Sequence, residues 1–178
     1  MMKKTLIKKI AMIGAVVVGM LAFGGTTQAN ASSKLHFDHR TITYHIDSTS
    51  KHYKGIWKDA IKEWNSKRVL KFKASSKKKA DLRLTTRKVV TNDAIYDFSN
   101  SFVFGNILGG TSYLKLNRSY MDKHNYAHNE RVNMATSAIE NGLGLDLNND
   151  NQSHMYFGSD PITSYDVAQL KKLYAHVK

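Results

Sequence analysis

The chain has 178 residues, 42% of them apolar, a formal charge of +13 and no cysteine. The missing cysteines exclude a disulfide scaffold and any thiolate metal site, and the positive surplus favours anionic partners such as wall polymers or lipid headgroups. Nucleic acid is set aside: the one tight basic run, Lys77–Lys79, has no interleaved aromatics and reads as a solvated turn between two strands.

In chain order, residues 1–31 predict a secretory signal peptide. Four lysines open it, a short apolar run follows, and Ala29-Asn30-Ala31 offers an A-x-A site cut after Ala31. A membrane anchor is the competing reading. A span needs about 20 apolar residues, however, and the run from Ile10 to Phe23 is shorter and broken by glycines. Removing 31 of 178 residues leaves 32–178, or 147 residues, enough for one domain with a single core. The leader holds four of the lysines and no acid, so 32–178 keeps a charge of +9. No second membrane span follows.

TITYHID (41–47) alternates Ile42, Tyr44 and Ile46 with polar residues, the pattern of a half-buried strand. In SKHYKGIWKDAIKEWNSK, Ile56, Trp57, Ala60, Ile61 and Trp64 repeat at helical spacing behind Ser50, a good N-cap. VLKFKAS (69–75) and ADLRLTT (80–86) are strands joined at the lysine turn. Residues 92–110 mix aromatics with turn formers and predict a long surface loop with one short strand around Phe102–Phe104. TSYLKLN (111–117) is another strand. Residues 129–143 predict a helix with Val132, Ala135, Ile139 and Leu143 on one stripe, ended by Gly144. TSYDVAQLKKLY closes the chain as a helix with a Thr163/Asp166 capping box and a buried stripe of Val167, Leu170 and Tyr174. The expected fold is mixed α/β (α+β): a twisted sheet backed by two helices, with a C-terminal helix.

Five pieces in this order carry a resemblance: WKDAIKEWN in the first helix, LKLN ahead of the second, GLGLD at its end, SHMY, and KKLY in the last. Together, over residues 40–175, the chain resembles a small bacterial matrixin-type metzincin, a zinc metalloendopeptidase. The resemblance implies that family's sheet, its Met-turn before the C-terminal helix, and the signature H-E-x-x-H-x-x-G-x-x-H. In that signature three histidines hold zinc and the glutamate takes a proton from the zinc-bound water.

Set on Gly144, the signature puts its histidines at Ser137, Asn141 and Leu147, its glutamate at Ala138, and its Met-turn methionine at Met155. Gly144 and Met155 are kept, and the four chemical residues are not. By helical periodicity Ser137 and Asn141 fall nearly opposite the apolar stripe, facing a cleft, with Glu140 on the flank. Neutral hydroxyl and amide oxygens are poor zinc ligands and leucine is none. No catalytic or metal-binding residue is therefore assigned, although the family would carry zinc.

Two replacements stay open. His124 and His128 stand four apart, and His154 adjoins Met155; together they are the candidates for a rebuilt zinc site. Asp146, Asn148 and Asp150 alternate as in a calcium loop, but Asn151 and Phe157 occupy its glycine and bidentate-glutamate positions. The sequence therefore predicts a secreted, monomeric, matrixin-like pseudoenzyme, extracellular or wall-associated. It would bind a peptide, a protein or an anionic cell-wall polymer. The rival expectation is a zinc endopeptidase with a non-standard site.

Overall fold

Strand alternation, two tryptophan-bearing turns of helix and a handful of caps decide the architecture. In a computed structural model that describes residues 35–47, 49–88, 94–145 and 161–178, all the described residues belong to one compact unit, Ser32–Lys178. The elements are β1 (Thr41–Ile46), α1 (Lys51–Ser66), β2 (Lys71–Ala74), a 3-10 turn (Lys77–Lys79), β3 (Leu82–Arg87), β4 (Tyr96–Phe104), β5 (Ile107–Asn117), α2 (Arg118–Lys123), α3 (His128–Gly142) and α4 (Ser164–Leu173). The fold is mixed α/β. One five-stranded sheet runs β2-β1-β3-β5-β4, all parallel except the β4–β5 pair. Among the described residues no helix is long and apolar enough to cross a membrane.

Ile42, Phe72, Leu82, Leu84, Leu114 and Leu116 line one face of the sheet and are buried with the apolar side of α1. Ser50 caps α1 by accepting the Tyr53 N–H. Two tryptophans then fix it to its neighbours: Trp57 Nε1 donates to the Thr85 carbonyl at 3.2 Å, Trp64 Nε1 to the Thr136 carbonyl at 3.0 Å. The opposite face of the sheet carries Thr43, His45, Lys71, Lys73, Arg83 and Lys115.

The lysine turn does join β2 to β3, yet the two strands are not neighbours. β2 pairs with Thr41–Tyr44 and β3 with Tyr44–Ile46, so the chain crosses β1 at the level of Tyr44 without needing a long return.

Of the expected loop 92–110, residues 92 and 93 lie outside the described residues, and the rest is not a surface loop: β4 and β5 form a long hairpin closed by Gly105-Asn106. Opposite Ser101, β5 holds two residues, Gly110 and Thr111, a bulge in which Gly110 takes φ +71° and the Thr111 N–H donates to Ser101 Oγ at 2.7 Å. The extra residue breaks the alternation, which is why the pattern reads as irregular. The six-residue helix α2, capped by Asn117 and anchored by Met121, is a second element the periodicity does not reveal.

At the other end, the Thr163/Asp166 box caps α4, and Leu170 and Tyr174 are buried, while Val167 is only half-buried. Tyr174 rivets three segments. Its hydroxyl donates to the Leu143 carbonyl at 3.0 Å and accepts the Phe37 N–H at 3.2 Å.

Candidate functional site

The helix that bears the motif positions has almost no solvent face. In α3, Val132, Met134, Ala135, Thr136, Ser137, Ala138, Ile139, Glu140 and Gly142 are all buried. One apolar stripe could not produce that. The helix is enclosed by α1 on one side and by β4 and β5 on another. Gly142 permits the close approach: a Cβ there would meet both Leu114 methyls at 3.1 Å.

This corrects the expectation of a cleft-facing Ser137. The residue is 2% exposed, and its hydroxyl donates to the Asn133 carbonyl at 3.1 Å. Ala138 is fully buried. Asn141, half-buried, hydrogen-bonds the Tyr96 hydroxyl of β4. Glu140 does not lie on a flank. It is 1% exposed, and its Oε2 has no hydrogen-bond partner. Burial first, and the nearby Asp166 of α4 second, raise its carboxyl well above the usual carboxylate range. Burial likewise pushes Tyr96 upward. Asp166 itself is held by Thr163, whose N–H and hydroxyl donate to Oδ2 at 2.8 and 2.7 Å.

The helix then stops in a Schellman turn. The Leu145 N–H donates to the Glu140 carbonyl and the Gly144 N–H to the Asn141 carbonyl, with Gly144 at φ +94°. A Cβ on Gly144 would stand 1.7 Å from the Leu35 carbonyl oxygen.

Zinc is the metal the resemblance implies, and the described residues do not fit it. The two ligand positions offer a neutral hydroxyl and a neutral amide, both engaged in hydrogen bonds, and the glutamate position offers a methyl group. Leu147, Met155, His154 and the Asp146–Asp150 loop lie outside the described residues. His124 and His128 do not share a site. His124 ends α2 with its ring 4.3 Å from Tyr120, whereas His128 begins α3 with Nε2 3.2 Å from Asp59 Oδ2. Among the described residues no group of three or more His, Asp or Glu is placed to hold a metal ion.

What remains open is the edge of the sheet beside α3. β4 is nine residues long, and no described strand pairs with its outer side. Its far end exposes Phe102 (57%), Val103 (44%) and Phe104 (75%), the large apolar side chains most open to solvent among the described residues. The Phe102 ring lies over Gly109 on β5, its cross-strand partner. The opposite edge, β2, is four residues long and carries Lys71 and Lys73. The sequence did hold a signal for this hairpin, a Gly-Asn pair between two apolar runs, but the bulge at Gly110 masked the alternation on one side of it. Compared with known proteins, the chain matches no family model and shows no significant match among curated proteins.

Proposed function

We propose that this chain is an exported, matrixin-like pseudoenzyme that binds an extended peptide segment of a protein along the outer edge of β4 and leaves it uncut. One observation carries the reading: a nine-residue sheet edge, unpaired among the described residues, that ends in three exposed apolar side chains. Natural sheets blunt such edges with short strands and lysines, as β2 does here. An added strand would gain main-chain hydrogen bonds along Tyr96–Phe104, and Phe104 and Val103 would sort its side chains. Support for the matrixin part comes from the order of the motif pieces, and for inactivity from the chemistry at Ser137, Ala138 and Asn141. Support for export comes from the pattern of residues 1–31.

The test is amide hydrogen exchange on the purified protein against a panel of ten-residue peptides that alternate apolar and polar residues. At least one peptide should slow exchange in residues 96–104 while keeping its mass. Slowing that appears only elsewhere, or none at all, contradicts the site. Chelator-sensitive cleavage contradicts the inactivity and returns the protein to the zinc endopeptidases.

A further inference from the structure

Helix α1 breaks two rules of helix stability on its solvent face. Lys51, Lys54, Lys58 and Lys62 are all exposed, and at about 100° per residue they fall within about 80° of arc. Lys54–Lys58 and Lys58–Lys62 are like-charge pairs four residues apart, each of which weakens a helix by a few tenths of a kcal/mol. The first turn contains no acid and the last turn no base, the reverse of what the helix dipole favours. None of the four lysines is neutralised: the only lysine ion pair among the described residues joins Lys77 to Asp47, 3.9 Å apart. A row that costs stability in both ways, with no ion pair to any of its four lysines among the described residues, has the character of a binding surface.

We infer that this row is a docking surface for a linear polyol-phosphate chain, the phosphodiester polymer of a cell wall. Successive lysines stand about 5–6 Å apart, so an extended polymer with one phosphate per helical turn can meet all four over about 16 Å. Lysine suits this role because it addresses a phosphate oxygen as a point charge from a flexible stem. The other exposed residues of α1 are His52, Asp59 and Ser66. With no exposed aromatic on the row, bases have nothing to stack on. With no exposed apolar side chain, a lipid surface has nothing to take in. Asp59, which pairs with His128, and the half-buried Glu63 border the row on the α3 side and would keep a polyanion on the lysines. The inference is independent of peptide binding at β4.

The probe is purified poly(glycerol phosphate), titrated into the protein at several salt concentrations. Binding should weaken with a log–log salt slope of about −3, as expected for four phosphate contacts on a flexible strand. The variant Lys51→Gln/Lys54→Gln/Lys58→Gln/Lys62→Gln should bind about tenfold or more weakly with a slope near zero. It should melt no lower than the native chain, since the changes remove repulsion. Lys71→Gln/Lys73→Gln/Lys78→Gln/Lys79→Gln removes the same charge elsewhere and should alter affinity less than about threefold. The inference is overturned if the two variants weaken binding equally, if the polymer does not bind, or if a single-stranded oligonucleotide or anionic vesicles bind more tightly than the polymer.

Discussion

Glu140 is a buried carboxyl group whose Oε2 has no hydrogen-bond partner, and among the described residues no cation is ion-paired with it. Burial, reinforced by Asp166, raises its pKa far above the usual range. The folded state therefore keeps a proton that the unfolded chain releases above about pH 4.3. Its contribution to stability is complete below that pH and declines as pH rises toward the folded value. Glu140→Gln should flatten this decline, so that the variant gains stability relative to the native protein as pH rises. Equal slopes of melting temperature against pH in both proteins would exclude Glu140 as the cause. Two glycines give opposite expectations. Gly144→Ala forces a side chain into a left-handed conformation, costing at least about 1–2 kcal/mol, and drives it into the Leu35 carbonyl as well. Gly55→Ala, in the middle of α1 with open space around it, should stabilise by about 0.5–1 kcal/mol. Residues whose role is local were legible in the sequence: Ser50, Gly144 and the Thr163/Asp166 box all act through neighbours a few positions away. Ser137 and Glu140 were not, because what buries them comes from α1, α4 and the sheet.

At the scale of elements, the β4–β5 hairpin separates into two parts at the Gly110 bulge. Tyr96, Asp97, Phe98 and Asn100 are half-buried, while Phe102 to Phe104 stand clear of the core. Substitution at the tip should therefore leave folding largely alone. Val103→Ser/Phe104→Ser should shift stability by no more than about 0.5 kcal/mol and abolish slowed exchange by peptides at β4. Phe102→Ala should cost more, because its ring covers Gly109. A double variant that unfolds would instead make the tip part of the core. Strand β1, helices α1 and α3 and the closing helix were readable from period alone. The hairpin and α2 were not, since a bulge shifts the alternation and a six-residue helix is too short to show a period.

Over the whole molecule, hydrogen bonds tie the ends of the described chain together. Arg40 donates from Nε to the Val177 carbonyl at 2.7 Å and from Nη2 to the Tyr174 carbonyl at 2.5 Å. Tyr174 in turn joins Phe37 to the end of α3. With the two tryptophans buried in a common core, folding has its own sources of stability. EDTA should therefore leave the melting temperature unchanged, because only a bound metal raises it by mass action. A drop of several degrees would reveal a structural metal, with the Asp146–Asp150 loop the first place to look. The +9 charge of residues 32–178 was legible from the start, but its arrangement along one side of α1 becomes significant only once that side is seen to be exposed and unpaired.

The central claim is binding without cleavage, and one measurement addresses both halves. The purified protein is incubated with the ten-residue peptide panel, with and without chelator, and each peptide is followed by mass spectrometry for retention and for new fragments. The account predicts that retained peptides keep their full mass under both conditions, and that Val103→Ser/Phe104→Ser releases them. Fragments that appear in the absence of chelator and vanish in its presence would contradict it.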